Sequence, residues 1–213
     1  MNTDMKYDLY VVTDEGLSRG KTHAEIAREA VSGGADVIQL RDKTADSASL
    51  YAAAVEIAEI CRGKALFFVN DRLDVALAAG ADGVHVGQSD LPLTAVRRIV
   101  PPGFLVGVSV GSVEEALEAE RDGADYVAVS PVFSTASKSD AGAGHGLDTA
   151  RAVCDAVSIP VVGIGGLNRD TIPNVIRAGI DGIAVISAVV SQEDISASAA
   201  ELSAIIAEAK KSI

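Results

Sequence analysis

Cysteine is nearly missing from this 213-residue chain: Cys61 and Cys154 are the only two, with no CxxC spacing. That excludes a disulfide scaffold, suits a reducing cytosol, and leaves both thiols reading as small buried hydrophobes. Basic residues are short as well, 18 against 30 acids, for a formal net charge of −12. A sequence-independent grip on nucleic acid needs a basic face, so no nucleic-acid partner is expected. Anionic small molecules stay open, because a few Arg, Lys and backbone N–H groups can bind phosphate on an acidic protein. Residues 1–8 hold no apolar signal-peptide core, and the longest apolar stretch, around 182–190, is about half of a membrane span. No leader and no membrane partner is expected, and the cytoplasm is the simplest location. Glycine (20) and proline (6) are too sparse for a disordered or collagen-like chain. Trp is absent and aromatics reach only 4%, yet 48% of residues are hydrophobic. That supports burial of about 70% of the unfolded surface around one core, hence a single domain over residues 1–213.

What the chain does have is a repeat. Gly34-Ala-Asp-Val-Ile-Gln-Leu40, Gly80-Ala-Asp-Gly-Val-His-Val86, Gly123-Ala-Asp-Tyr-Val-Ala-Val129 and Gly179-Ile-Asp-Gly-Ile-Ala-Val185 share one pattern. Each follows an Ala-rich stretch of helical period, so the Gly reads as a helix C-terminal cap and the apolar run as a buried strand. The starts lie 46, 43 and 56 residues apart, room for two strand–helix units each. Second strands fall at 65–69, 104–108 and 160–164, with 9–12 ahead of the first. Eight apolar strands alternating with eight helices predict a parallel (β/α)8 TIM barrel. An open doubly wound sheet is the alternative, but Thr13-Asp14-Glu15-Gly16-Leu17 after the first strand is no dinucleotide turn.

Barrel chemistry sits where strands end. The second strand runs into Gln39-Leu-Arg41-Asp-Lys43, and a period of two puts Gln39, Arg41 and Lys43 on one side. Asn70-Asp71, His85 to Asp90, Ser109, the long 130–142 stretch, Gly165-Gly166 and Ile186-Ser187 follow in order. The backbone N–H groups of Gly165-Gly166 and Ile186-Ser187 suit a phosphate. Arg41, Lys43 and Lys138 could hold a second, more highly charged anion. Asp71 and Asp90 end neighbouring strands, so they could share Mg²⁺, act as an acid/base pair, or cap the helices that follow. His85 reads as a pocket-wall residue, and His23 and His145 as surface or loop residues. Ser109 shows no triad spacing, which leaves it a hydrogen-bonding role.

Taken together, these segments resemble the thiamine-phosphate synthase family. The resemblance is carried by Gln39-Leu-Arg41-Asp-Lys43, Asn70-Asp71-Arg72, Gly83-Val-His85-Val-Gly87-Gln88-Ser-Asp90-Leu-Pro92, Gly107-Val-Ser109, Pro131 to Gly142 and Gly163-Ile-Gly165-Gly166. It runs from about Tyr10 to Ser191. It implies an enzyme that joins hydroxymethylpyrimidine diphosphate to a thiazole phosphate and releases pyrophosphate. By position, Arg41, Lys43, Asn70 and Lys138 would bind the diphosphate, with Mg²⁺ on Asp71 and Asp90. Gln39, His85 and Ser109 would line the pyrimidine pocket, and Ser109 and Lys138 would be the catalytic pair. Thr135 and Ser137 would touch the thiazole, whose phosphate would rest on Gly166, Ile186 and Ser187.

Three positions depart from the family pattern. Gly111 stands where a His is common, Ser134 where Pro is common, and Ser137 where Thr is usual. The missing His points away from a thiazole tautomerase on the same barrel. The intact diphosphate and metal positions point away from a silent thiamine-phosphate sensor. The 130–146 segment, rich in Ser and Gly, is the candidate lid. The partners expected are small phosphorylated substrates, and a homo-oligomer is compatible with the outer helices.

Overall fold

The computed structural model describes residues 6–135 and 144–212. The repeat shows its purpose at once. Its glycines, Gly34, Gly80, Gly123 and Gly179, all take positive φ, between 68° and 101°, and turn the chain out of a helix. Two residues later comes an aspartate, and each one makes the same pair of hydrogen bonds. Asp36 donates its N–H to Leu9 O and accepts the Leu9 N–H on its carboxylate, both at 2.9 Å. Asp82 does this with Phe67, Asp125 with Val106 and Asp181 with Val161, the carboxylate bonds measuring 2.8, 2.6 and 2.8 Å. Four odd-numbered strands are thus clamped at their lower ends to the even strand that follows.

The strands are β1 (Leu9–Val12), β2 (Val37–Leu40), β3 (Leu66–Asn70), β4 (Gly83–Val86), β5 (Leu105–Val110), β6 (Tyr126–Val129), β7 (Val161–Ile164) and β8 (Gly182–Val185). All pair in parallel with their neighbours, and β8 returns to β1 with Leu9 opposite Ile183, closing the barrel. Outside run α1 (His23–Ser32), α2 (Ser47–Cys61), α3 (Leu73–Ala79), α4 (Leu93–Arg97), α5 (Val113–Arg121), α6 (Gly146–Ala156), α7 (Ile172–Arg177), α8 (Ser187–Val190) and α9 (Ile195–Lys211). The expected barrel is therefore present. Among the described residues there is one α-helix more than the eight expected, because the chain inserts the single turn α8 between β8 and the long α9. Helix starts follow local chemistry: Thr22 and Glu25 form a reciprocal cap on α1, and Asp46, Ser112 and Asp194 cap α2, α5 and α9. Among the described residues no helix is long and apolar enough to cross a membrane.

Four of the eight aromatics, Tyr7, Tyr10, Phe68 and Tyr126, are gathered in one cluster inside the barrel. Tyr126 lies edge-on to Phe68 (5.5 Å between ring centres) and is tilted against Tyr7 and Tyr10 (5.0 and 6.1 Å). Gly107 makes this packing feasible, since a Cβ there would lie 2.1 Å from Tyr126 Cζ. Large rings on some strands and missing side chains on others fill the lower interior, so the open space of the barrel is at its upper end.

Burial raises the pKa of the Asp36 carboxyl, with the Leu9 N–H bond opposing the rise. Asp36→Ala leaves that N–H without its partner and should cost about 1–3 kcal/mol, whereas Asp36→Asn retains an acceptor oxygen and should cost less than half as much. A raised folded-state pKa adds stability below the ordinary carboxyl pKa, and this is lost as pH rises through the raised value. Urea midpoints of Asp36→Asn should therefore gain on those of the wild type as pH is taken from acid to neutral.

Candidate active site

At the upper end of β2 the strand stops at Leu40, so Arg41 and Lys43 stand in the loop beyond it while Gln39 points into the barrel. Both cations already face carboxylates. Arg41 Nη1 lies 3.4 Å from Asp14 Oδ2, and Lys43 Nζ lies 2.5 Å from Asp71 Oδ2. Between them Asp42 turns the other way, toward His23. Here one reading needs correction: His23, expected at the surface or in a loop, is buried, with its ring held between Thr13 and Asp42. As the first residue of α1 it is drawn inward by the loops after β1 and β2, a tertiary placement with no local signature.

Asp71 and Asp90 come together across β3 and β4, as their positions require. Neither caps a helix. The N-cap positions of α3 and α4 are Arg72 and Pro92, with no side-chain cap, which removes the capping alternative. Asp71 instead holds a left-handed backbone (φ 61°), uncommon for a residue other than Gly, and donates its N–H to His85 O at 2.8 Å. Asp90 accepts the Gly87 N–H at 2.7 Å and so closes its own loop. Burial raises the Asp71 carboxyl above its ordinary range. Lys43 pulls it back, and the Asp90 charge and a carboxyl–carboxyl hydrogen bond push it up again. Two carboxylates forced together beside one ammonium make a place where added positive charge is favourable. Asn70 ends β3 beside them, opposite His85.

Below the mouth a chain of hydrogen bonds crosses the barrel. Gln39 Nε2 donates to Tyr10 OH (2.6 Å), which bonds Tyr126 OH (2.9 Å). Tyr126 OH meets His85 Nδ1 (2.8 Å), and His85 Nε2 meets Ser109 Oγ (2.9 Å). Burial raises both phenols far above their ordinary pKa, so both remain donors. Each phenol has one hydrogen to give. With the Gln39 amide donating to Tyr10, the bonds run onward to His85 Nδ1, and His85 Nε2–H then donates to Ser109. Ser109 is left to offer its hydrogen upward, and Gln39 to offer its carbonyl. Tyr10 and Tyr126 were missed by sequence reasoning; the available signal was a tyrosine on an inward position of an otherwise aliphatic strand. Gly111 leaves a gap that His145 fills, since a Cβ at 111 would lie 2.9 Å from that imidazole.

On the opposite side of the mouth, Gly165 and Gly166 take φ of 102° and 64° under the loop after β6. A Cβ on either would lie 2.5 Å from Pro131 or 2.7 Å from Phe133, so the loop can descend only onto glycine. With Thr135, Ile186 and Ser187 they line a small cleft that opens to solvent. Ser137 and Lys138, with the rest of residues 136–143 of the expected lid, fall outside the described residues.

A closed parallel barrel with its polar and charged residues at the C-terminal strand ends defines a (β/α)8-barrel enzyme. The pattern that describes thiamine monophosphate synthase matches residues 9–189. The chain is 62% identical over 205 residues to the thiamine-phosphate synthase of Methanocella arvoryzae, covering 96% of this chain and 97% of that one. It is 59% identical to that of Methanoculleus marisnigri, covering 97% and 98%. A solved thiamine phosphate pyrophosphorylase from Pyrococcus furiosus superposes with a TM-score of 0.90 at 45% identity, covering 98% of this chain and 99% of that one. The chain belongs to the thiamine monophosphate synthase family and is a transferase.

Two substitutions check the geometry. Asp90→Asn removes the like charge beside Asp71, so carbon-detected NMR should find the Asp71 titration moved down. Tyr126→Phe removes a hydroxyl bonded to both His85 Nδ1 and Tyr10, and should lower stability in urea by about 1–3 kcal/mol.

Proposed function

We propose that this chain is a thiamine-phosphate synthase that joins hydroxymethylpyrimidine diphosphate to thiazole phosphate, with pyrophosphate as the second product. The observation that carries the reading is the Asp71–Asp90 pair, adjacent to Lys43 and beyond it Arg41, facing the Gly165–Gly166 cleft across one mouth. Few folds have reason to hold two carboxylates and two cations beside a backbone phosphate cradle unless two phosphorylated ligands meet there.

In this reading Gln39, His85 and Ser109 hold the aminopyrimidine, with the carbonyl of Gln39 and the hydroxyl of Ser109 as its acceptor and donor. Arg41, Lys43, Asn70 and Lys138 bind its diphosphate. The bond between the exocyclic methylene carbon and the diphosphate oxygen breaks, and pyrophosphate leaves with the electron pair. The ring amine spreads the resulting positive charge, so no protein nucleophile is required. The thiazole nitrogen then gives its lone pair to that carbon and becomes the thiazolium of the product. Thr135, Ser137 and the Gly166, Ile186 and Ser187 backbone hold the thiazole phosphate at the correct distance, and such positioning lowers barriers by about 7–11 kcal/mol in favourable cases. In this reading Lys138 and Ser109 are the residues assigned to the charge that develops in that step.

The Asp71–Asp90 pair suits Mg²⁺. Among the described residues no set of three or more His, Cys, Asp or Glu could hold a metal, so a cation here would complete its shell with diphosphate oxygen and water, as Mg²⁺ prefers. When bound, the ion would neutralise charge on the leaving diphosphate.

Purified protein with both phosphorylated precursors should form thiamine phosphate, read as fluorescent thiochrome after oxidation, in the presence of Mg²⁺ and not with a chelator. Asp71→Ala and Lys138→Ala should each lower the rate by about 100-fold or more. Absence of product while the thiazole phosphate still binds would overturn the synthase reading and move it to the tautomerase or the sensor.

A further inference from the structure

Among the described residues, His23 is a buried ionisable side chain near the mouth that this chemistry leaves unused. Two carboxylates lie near its Nε2, Asp42 at 3.3 Å and Glu15 at 3.9 Å. The Thr13 hydroxyl oxygen accepts the Arg41 N–H (3.3 Å) and lies 2.8 Å from His23 Nδ1. The Asp42 carboxylate can only accept, so Nε2 carries a hydrogen, and Nδ1 of the neutral ring then accepts the Thr13 hydroxyl hydrogen. That Nε2–H faces Asp42 Oδ2 at 3.3 Å. Burial would raise the Asp42 carboxyl, but bonds from Thr44 N–H, Ala45 N–H, the Thr44 hydroxyl and His23 bring it down to about 2. Asp42 is therefore anionic and gathers the loop around itself, with Thr44 N at 2.7 Å and Ala45 N at 2.9 Å on its other oxygen. The His23 backbone N–H is bound too, to Glu15 Oε1 at 2.8 Å.

Arg41, Asp42 and Lys43 are consecutive, and His23 binds the side chain of the middle one. The backbone between Arg41 and Lys43 is thereby anchored, and Arg41 is also fixed at its own N–H by Thr13. We propose that Thr13, His23 and Asp42 form a positioning unit that sets the loop bearing Arg41 and Lys43, so that His23 controls affinity for a diphosphate it does not touch. The inference rests on the diphosphate role given above to Arg41 and Lys43. It makes His23 a positioning residue, whose influence is confined to one of the two anion subsites, because the unit makes no contact with the Gly165–Gly166 side.

Inorganic pyrophosphate, titrated calorimetrically into the whole chain with MgCl₂, isolates the subsite from turnover. His23→Phe, which fills the space without hydrogen bonds, should weaken pyrophosphate binding about five- to tenfold, and raise KM for the pyrimidine diphosphate in step. KM for the thiazole phosphate should change by less than about twofold. His23→Gln, which keeps an N–H for Asp42, should recover most of the loss. In an Arg41→Ala background, His23→Phe should add little further weakening, since the residue through which it acts is gone. Unchanged pyrophosphate affinity in His23→Phe, equal loss for both substrates, or full additivity with Arg41→Ala would each overturn the unit. Wild-type protein that ignores pyrophosphate would overturn the diphosphate reading itself, and the inference with it. A wild type that binds and a His23→Phe that binds equally well removes only the inference.

Discussion

The hydrogen bond from a strand N–H to the aspartate that opens the next strand is made four times around the lower rim, and the upper rim depends on it. In a closed sheet every strand has two neighbours, so the offset between them is shared by all eight. A slip of one residue anywhere would exchange inward and outward side chains. Gln39, His85 and Ser109 lie on three strands and meet through one bonded chain only because their registers agree. The clamps at Asp36, Asp82, Asp125 and Asp181 are placed where such a slip would start. Chemistry at one end of the barrel is thus held in line by carboxylates at the other.

The mouth follows a second logic, which is electrostatic. An acidic protein that is to receive two phosphorylated ligands needs local positive charge, and needs it controlled while no ligand is present. Arg41 and Lys43 each rest against a carboxylate, Asp14 and Asp71. Those carboxylates keep the cations in place near the surface and give an incoming anion something to exchange with. Asp71 is in the least comfortable position of all, half-buried, next to Asp90 and in a left-handed backbone. Discomfort of that kind persists where surrounding bonds over-determine it, and here the His85 carbonyl does so.

The barrel was legible because its signal is local and repeated: continuous apolar strands, helical stretches between them, and a recurring Gly-x-Asp. The polar residues at the strand ends were legible for the same reason, since the fold dictates which end matters. The aspartate of the repeat was visible, but its partner is on the preceding strand, some 15 to 27 residues earlier in sequence, so its clamp could not be read. Tyr10 and Tyr126 hid among aliphatic residues, and their roles exist only once β1 and β6 face each other. His23 was misplaced because its position at the start of an amphipathic helix predicts exposure, and only the folding of two loops over it produces burial. What remained illegible were contacts between elements distant in sequence, at positions whose residue type is unremarkable in its own neighbourhood.

Each rim clamp joins β1 to β2, β3 to β4, β5 to β6 or β7 to β8, and none bridges two of these pairs. In its side-chain clamps the ring is therefore four strand–helix–strand quarters laid edge to edge. It also has four natural seams. A chain whose ends were moved by circular permutation to the seam between β2 and β3, β4 and β5 or β6 and β7 would keep every clamp, because the lower rim is indifferent to which quarter comes first.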